Sequence, residues 1–156
     1  MKTFKSALFG LLLLSCCMIS PLVQAEGYPR FYEDKDVVLQ WEYDLSRKEF
    51  ITVRGKLTLA IGAEIVSPIR LFISGLDLKG KRLKTESEDV GEVETHETVD
   101  FEIKVPRVGQ EKHMLFTYRY DIFVAESGPT QFEGWFEDSL DDPAFKPKML
   151  KNPPAY

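Results

Sequence analysis

The chain has few of the residues that hold metals or close disulfides. Its 156 residues include two cysteines and two histidines. Cys16 and Cys17 both lie in the first apolar run, so a chain cut beyond them has no thiol and no disulfide. His96 and His113 form neither a His-x-x-x-His nor a His-Glu-x-x-His pattern and read as ordinary turn or strand-edge residues. Asn152 is the only asparagine and Pro153 follows it, which excludes an N-glycosylation sequon. No Gly-x-Ser-x-Gly elbow and no glycine-rich phosphate loop is present. Carboxylates are so numerous that choosing two as a glycosidase acid and base is arbitrary. No catalytic residue, metal site or cofactor is expected, and the chain reads as a non-enzymatic protein.

An uninterrupted apolar run of membrane-spanning length, about 20 residues, is also missing. Ala7 to Ile19 is shorter, and Pro21 breaks the stretch that follows. Lys2 and Lys5 precede this run and Val23-Gln24-Ala25 follows it, which gives the three parts of an export signal. Cleavage after Ala25 removes 25 of the 156 residues and leaves 131, one ordinary domain. Leu13-Leu14-Ser15-Cys16 resembles a bacterial lipobox, in which Cys16 would carry lipid and tether the chain to a membrane. The apolar run continues past Cys16 through Met18 and Ile19, so release into a periplasmic or extracellular space is the favoured reading. A membrane contact is expected only if Cys16 is lipidated.

Losing Lys2 and Lys5 takes the 20 basic residues to 18 against 25 acidic ones, a net of −7. With no basic run longer than Lys79-Gly80-Lys81-Arg82, nucleic acid is excluded as a partner.

What the chain does have is alternation. Val37, Leu39, Trp41 and Tyr43 interleave with Val38, Gln40, Glu42 and Asp44. Ile51, Val53, Leu57, Leu59 and Ile61 interleave with Thr52, Arg54, Lys56 and Thr58. A period of two marks strands with one buried face. Ile69, Leu71 and Ile73 continue the theme, and an apolar shift to Leu76 and Leu78 after Gly75 predicts a β-bulge. Lys79-Gly80 predicts a tight turn into a polar edge strand. Val99 to Val105 and Met114 to Val124 alternate again, and residues 130–138 predict a short last strand. No helical period links these segments, so the fold class is all-β: an antiparallel immunoglobulin- or fibronectin-like β-sandwich of about seven strands, with a small closed barrel as the alternative. The expected core is Leu39, Trp41, Ile51, Val53, Leu57, Leu59, Leu71, Ile73, Phe101, Ile103, Phe116, Tyr118 and Tyr120. The organisation is a signal over 1–25, a lead over 26–35, the sandwich over 36–138 and an irregular proline-containing tail over 139–156.

Residues 50–125 resemble the bacterial exported FxLYD domains. Gly55, Asp77, Gly80 and Phe101 occupy matching places, and the signature Phe-x-Leu-Tyr-Asp falls on Ile73-Ser74-Gly75-Leu76-Asp77, where the aspartate is kept. The resemblance implies an immunoglobulin-like sandwich in an exported setting, and no catalytic residue.

Two features point toward binding. Trp135 and Phe136 are adjacent in a strand, so one of them faces away from the core. Tyr28, Phe31 and Tyr32 cluster in the lead. These five residues are the candidate interaction set, for another envelope protein or, alternatively, for carbohydrate stacked on exposed rings. The acidic stretches, Glu86, Glu88, Asp89, Glu92, Glu94 and Glu97 in one and Asp138, Asp141 and Asp142 in the other, lack EF-hand spacing and read as solvated edge strand and turn. The closing Pro-Pro-Ala-Tyr matches a WW-domain ligand by chance.

Overall fold

The computed structural model describes residues 27–60, 67–91, 93–94 and 96–151. Cys16, the cleavage site after Ala25, Ile61, Glu92 and the closing Pro-Pro-Ala-Tyr lie outside the described residues. Among the described residues there are nine strands: β1 (Arg30–Glu33), β2 (Val37–Asp44), β3 (Phe50–Leu59), β4 (Ile69–Leu76), β5 (Arg82–Gly91), β6 (Thr98–Pro106), β7 (His113–Val124), β8 (Gly128–Ser139) and β9 (Lys148–Met149). They form two antiparallel sheets, ordered β1-β2-β3-β6 and β5-β4-β7-β8-β9.

This is a sandwich and not a closed barrel. Among the described residues no backbone ladder joins the sheets; where β5 nears β6, a side chain bridges them, with the Glu102 N–H donating to the Glu88 carboxylate at 3.2 Å. β2 to β8 are the seven strands of a fibronectin-like arrangement, β2-β3-β6 facing β5-β4-β7-β8. β1 and β9 are additions from the lead and the tail.

All thirteen expected core residues are buried, because strict alternation places each on the inward side of its strand. Tyr32, Val37, Ile69, Val93, Val105, Met114 and Phe136 join them in one cluster between the sheets. Two glycines let this core close. Phe101 lays its ring over Gly55 of the neighbouring strand, and the Tyr118 ring lies over Gly134. A β-carbon at either place would collide with the ring, and at Gly55 also with the carbonyl of Gln40.

Four details differ from the expectation. The lead is not separate from the sandwich, since Arg30 to Glu33 pair with Val38 to Trp41. The strand expected at 130–138 is neither short nor last; β8 has twelve residues and the tail returns as β9 against Phe136 and Glu137. The apolar shift after Gly75 brings Leu76 inside but leaves Leu78 80% exposed in the turn. The register break there puts the extra residue on β5, because Ser74 pairs with Thr85 and Leu76 with Arg82. That turn is organised by Asp77, whose Oδ1 accepts the N–H groups of Lys79 and Lys81 at 2.8 and 2.9 Å.

Candidate functional site

The five aromatic candidates do not form one surface. Tyr32 and Phe136 are core residues, 6% and 0% exposed, with their rings stacked at 3.8 Å. Phe136 also stacks on Phe116 at 4.8 Å and tilts against Trp41 at 5.4 Å. Neither ring is available to a partner, which corrects the expectation for both: β1 is a paired strand, so Tyr32 points between the sheets. Phe31 points the other way and is half-exposed. Tyr28 lies half-buried on the outside of the first sheet, near Glu42, Arg54, Lys56 and Glu102. Trp135 is the outward member of its pair, half-buried, with its indole Nε1 enclosed and without a hydrogen-bond partner.

The acids are mostly in use. Asp138 is fully buried, and three side chains from two other strands converge on it. Arg30 Nη1 from β1 donates to its Oδ1 at 3.2 Å, and Trp41 Nε1 and the Tyr43 hydroxyl from β2 donate to its Oδ2 at 3.2 and 2.7 Å. Arg30 also donates to the Asp142 carbonyl at 2.9 Å, tying down the start of the tail. Burial pushes the Asp138 carboxyl above its ordinary range, although Tyr43 and Arg30 pull it back, and burial beside Asp138 pushes the Tyr43 hydroxyl up. Both oxygens of Asp138 already accept hydrogen bonds from the protein, so this carboxylate is a structural hub. At the far end of β1, Asp34 accepts from the hydroxyls of Tyr32 and Tyr118 on Oδ2 and from the N–H groups of Asp36 and Val37 on Oδ1. Burial and the negative charge of Asp34 raise both tyrosines.

The remaining acids and histidines are dispersed. Asp89 pairs with Arg70 at 2.5 Å, Asp141 with Lys112 at 2.8 Å, and Glu97 accepts the Glu94 N–H at 3.0 Å. His113 has Nδ1 2.9 Å from Glu137 and meets Phe145 of the tail edge-on at 5.9 Å, whereas His96 sits in a turn with φ of 67°. Among the described residues no three His, Cys, Asp or Glu side chains are placed to hold a metal.

The outward face of β4, β7 and β8 has a composition of its own. Arg70 and Arg119 are direct cross-strand partners, flanked in register by Asp89 on β5 and Glu133 on β8. The next row holds Phe72, Thr117 and Trp135. The Arg119 guanidinium lies over the Phe72 ring at 4.8 Å and pairs with Glu133 at 2.8 Å. Beside the arginines is a hollow lined by Ser67, Asp121 and Gln131. Of these residues only Trp135 was an interaction candidate in the sequence. The row draws on four separate segments of the chain, and only the strand register assembles them.

Comparison of the chain with family models, with curated proteins and with solved structures finds no match.

Proposed function

We propose that the chain is a non-enzymatic binding module of the cell envelope that docks on another protein through the outward face of β4, β7 and β8. The observation that carries this reading is the Arg70–Arg119 doublet beside Phe72 and Trp135. Arginine, tryptophan and other aromatics dominate the energetics of protein interfaces. Each arginine already has a carboxylate partner, Arg70 with Asp89 and Arg119 with Glu133, so the doublet forms an ordered, charge-compensated row with the Arg119 guanidinium over the Phe72 ring. The export signal over residues 1–25 and the resemblance to FxLYD domains support delivery beyond the cytoplasm.

Carbohydrate is the weaker alternative. A sugar platform needs open ring faces. Two of the five candidate rings are in the core, and Trp135 is half-buried.

The test is site-specific photocrosslinking in the native host. A crosslinker replacing Phe72 should yield one discrete protein adduct that is lost with Arg119→Ala, while a crosslinker replacing Lys56 on the opposite sheet should yield none. Equal adducts from both positions, or none from Phe72, would refute the assignment.

A further inference from the structure

A strand edge presents unpaired N–H and C=O groups to any other extended chain, and native proteins usually blunt it. The outermost strands here are β1 and β6 in one sheet and β5 and β9 in the other. Three of them are blunted. β1 has only four residues. β5 has register breaks near both ends and carries Lys84, Glu86 and Glu88. On β6, the Glu88 carboxylate caps the outward N–H of Glu102.

Among the described residues the fourth edge is only partly covered. β9 contributes two residues, opposite Phe136 and Glu137, whereas β8 has twelve. Among the described residues no strand lies beside β8 from Pro129 to Glu133 on the side away from β7. The direction of its backbone follows from one hydrogen bond. The Trp135 carbonyl accepts from Leu150 N–H at 3.1 Å, so at Trp135 the backbone groups point off the sheet. Antiparallel alternation sends Glu133, Gln131 and Pro129 the same way. Proline has no N–H, so this stretch offers two donors, Gln131 and Glu133, and three acceptors. The side chains of Pro129, Gln131 and Glu133 are all exposed. The stretch also belongs to a hairpin that outruns its neighbour, because β4 meets β7 only as far as Arg119 while β7 and β8 pair on to Val124. In the sequence, Pro153 and Pro154 follow soon after β9, and neither brings an N–H to a ladder.

We infer that the free edge of β8 from Pro129 to Glu133 takes an extended strand from a partner protein, antiparallel to β8 and in line with β9. The side-chain pattern such a strand needs follows from the two sides of the edge. On the inner side lie Thr130 and Phe132, the latter stacked on Tyr120 at 5.7 Å. On the outer side lie Gln131, Glu133, which Arg119 already pairs, and Asp121, whose carboxylate makes no ion pair among the described residues. The fitting strand therefore alternates apolar and basic residues. A second copy of this chain fits less well. Self-pairing about Gln131 would set Pro129 opposite Glu133 and lose a donor at each end, and the copies share a net negative charge. The inference rests on the reading of the chain as a binding module, but not on which side chains make the rest of the contact.

The probe is an N-acetylated, C-amidated octapeptide of alternating valine and lysine, with an isomer of four valines followed by four lysines as control. The readout is amide hydrogen exchange in the isotopically labelled full exported protein. The Gln131 and Glu133 amides should exchange freely in the protein alone and slow by about tenfold or more with the alternating peptide, but not with the block isomer. Gln131→Pro removes an outward N–H without touching the β7–β8 ladder, so it should fold normally and lose the protection at Glu133, while Gln131→Ala should keep it. The inference fails if both peptides protect equally, if Gln131→Ala loses as much as Gln131→Pro, or if neither amide slows at millimolar peptide. It fails also if both amides are protected in the protein alone, whether at every concentration or only as a second copy associates. If it fails while the Phe72 crosslink persists, only the strand edge is wrong; if both fail, the chain is not a binding module of this kind.

Discussion

Tyr32 and Phe136 lie face to face across the open side of the sandwich, ring centroids 3.8 Å apart and planes within 15°. One belongs to the first strand and the other to the eighth, so this contact joins the lead to the far sheet. Phe136 also touches Phe116 and Trp41, which makes it the centre of the aromatic part of the core. Truncating it leaves a cavity bordered by three rings that cannot collapse far. Phe136→Ala should lose about 3–5 kcal/mol in urea unfolding. Tyr32→Phe keeps the stack and gives up only the hydrogen bond to Asp34, so its cost should be about 1 kcal/mol. Similar losses in the two variants would show that the stack is not what holds β1.

Asp138 has a definite pH signature. Its carboxyl is raised in the folded state, first by burial. Between the ordinary carboxylate value and that raised value, the folded state holds a proton that the unfolded chain has released. The contribution of this group therefore grows as pH falls through the folded value and is complete below about 3.9. Asp44, Asp77, Asp89, Glu102 and Asp141 are lowered, so their contributions are present above the ordinary value and disappear below it. Measured from pH 7 to pH 4, the wild type should gain stability relative to Asp138→Asn. A relative loss over that range would mean that folding lowers the Asp138 carboxyl instead of raising it. At pH 7, Asp138→Ala should cost about 3–5 kcal/mol, because the Arg30 guanidinium stays buried without its counter-charge.

Gly55 and Gly134 are predicted to be intolerant of even a methyl group, but unequally. At Gly134 the obstacle is the Tyr118 side chain, whereas at Gly55 it includes the backbone carbonyl of Gln40. Overpacking costs about 1–3 kcal/mol. Gly55→Ala should fall at the upper end or beyond, and Gly134→Ala should be partly rescued by Tyr118→Leu. A thermal melt of the double variant no higher than that of Gly134→Ala would argue against the ring as the obstacle.

Intact mass of the protein from its native host reads out the export proposal. The expected mass is that of residues 26–156 without acyl chains. A mass matching residues 16–156 with added lipid, and loss of membrane association in Cys16→Ser, would place the domain on a membrane surface instead.

Much of the fold was legible because alternation is a local signal. Leu39 and Trp41, or Phe101 and Ile103, reveal their shared face from sequence spacing alone. β8 was harder to see. Its inward positions are Thr130, Phe132, Gly134, Phe136 and Asp138, so one is a glycine filled by a ring from β7 and another is an acid neutralised from β1 and β2. Both look like loop residues until their partners are known. The Trp135-Phe136 pair showed that one ring faces out, but not which one, since the answer depends on which face β1 covers. The Arg70–Arg119 doublet was invisible for a different reason: it is a product of register between strands, and neither residue is unusual in its own segment.

The Arg30–Asp138 pair spans 108 residues of sequence. Chains are made from the N-terminus at roughly 5–20 residues per second, so the partner of Arg30 is synthesised about 5–20 s after it. Until then β1 has neither its counter-charge nor the ring of Phe136 to stack on. The first strand is therefore among the last to become native, and the sandwich stays open along that side while the rest is being made. On the proposal that residues 1–25 are removed as an export signal, that delay leaves the lead accessible to the peptidase that cuts just before it.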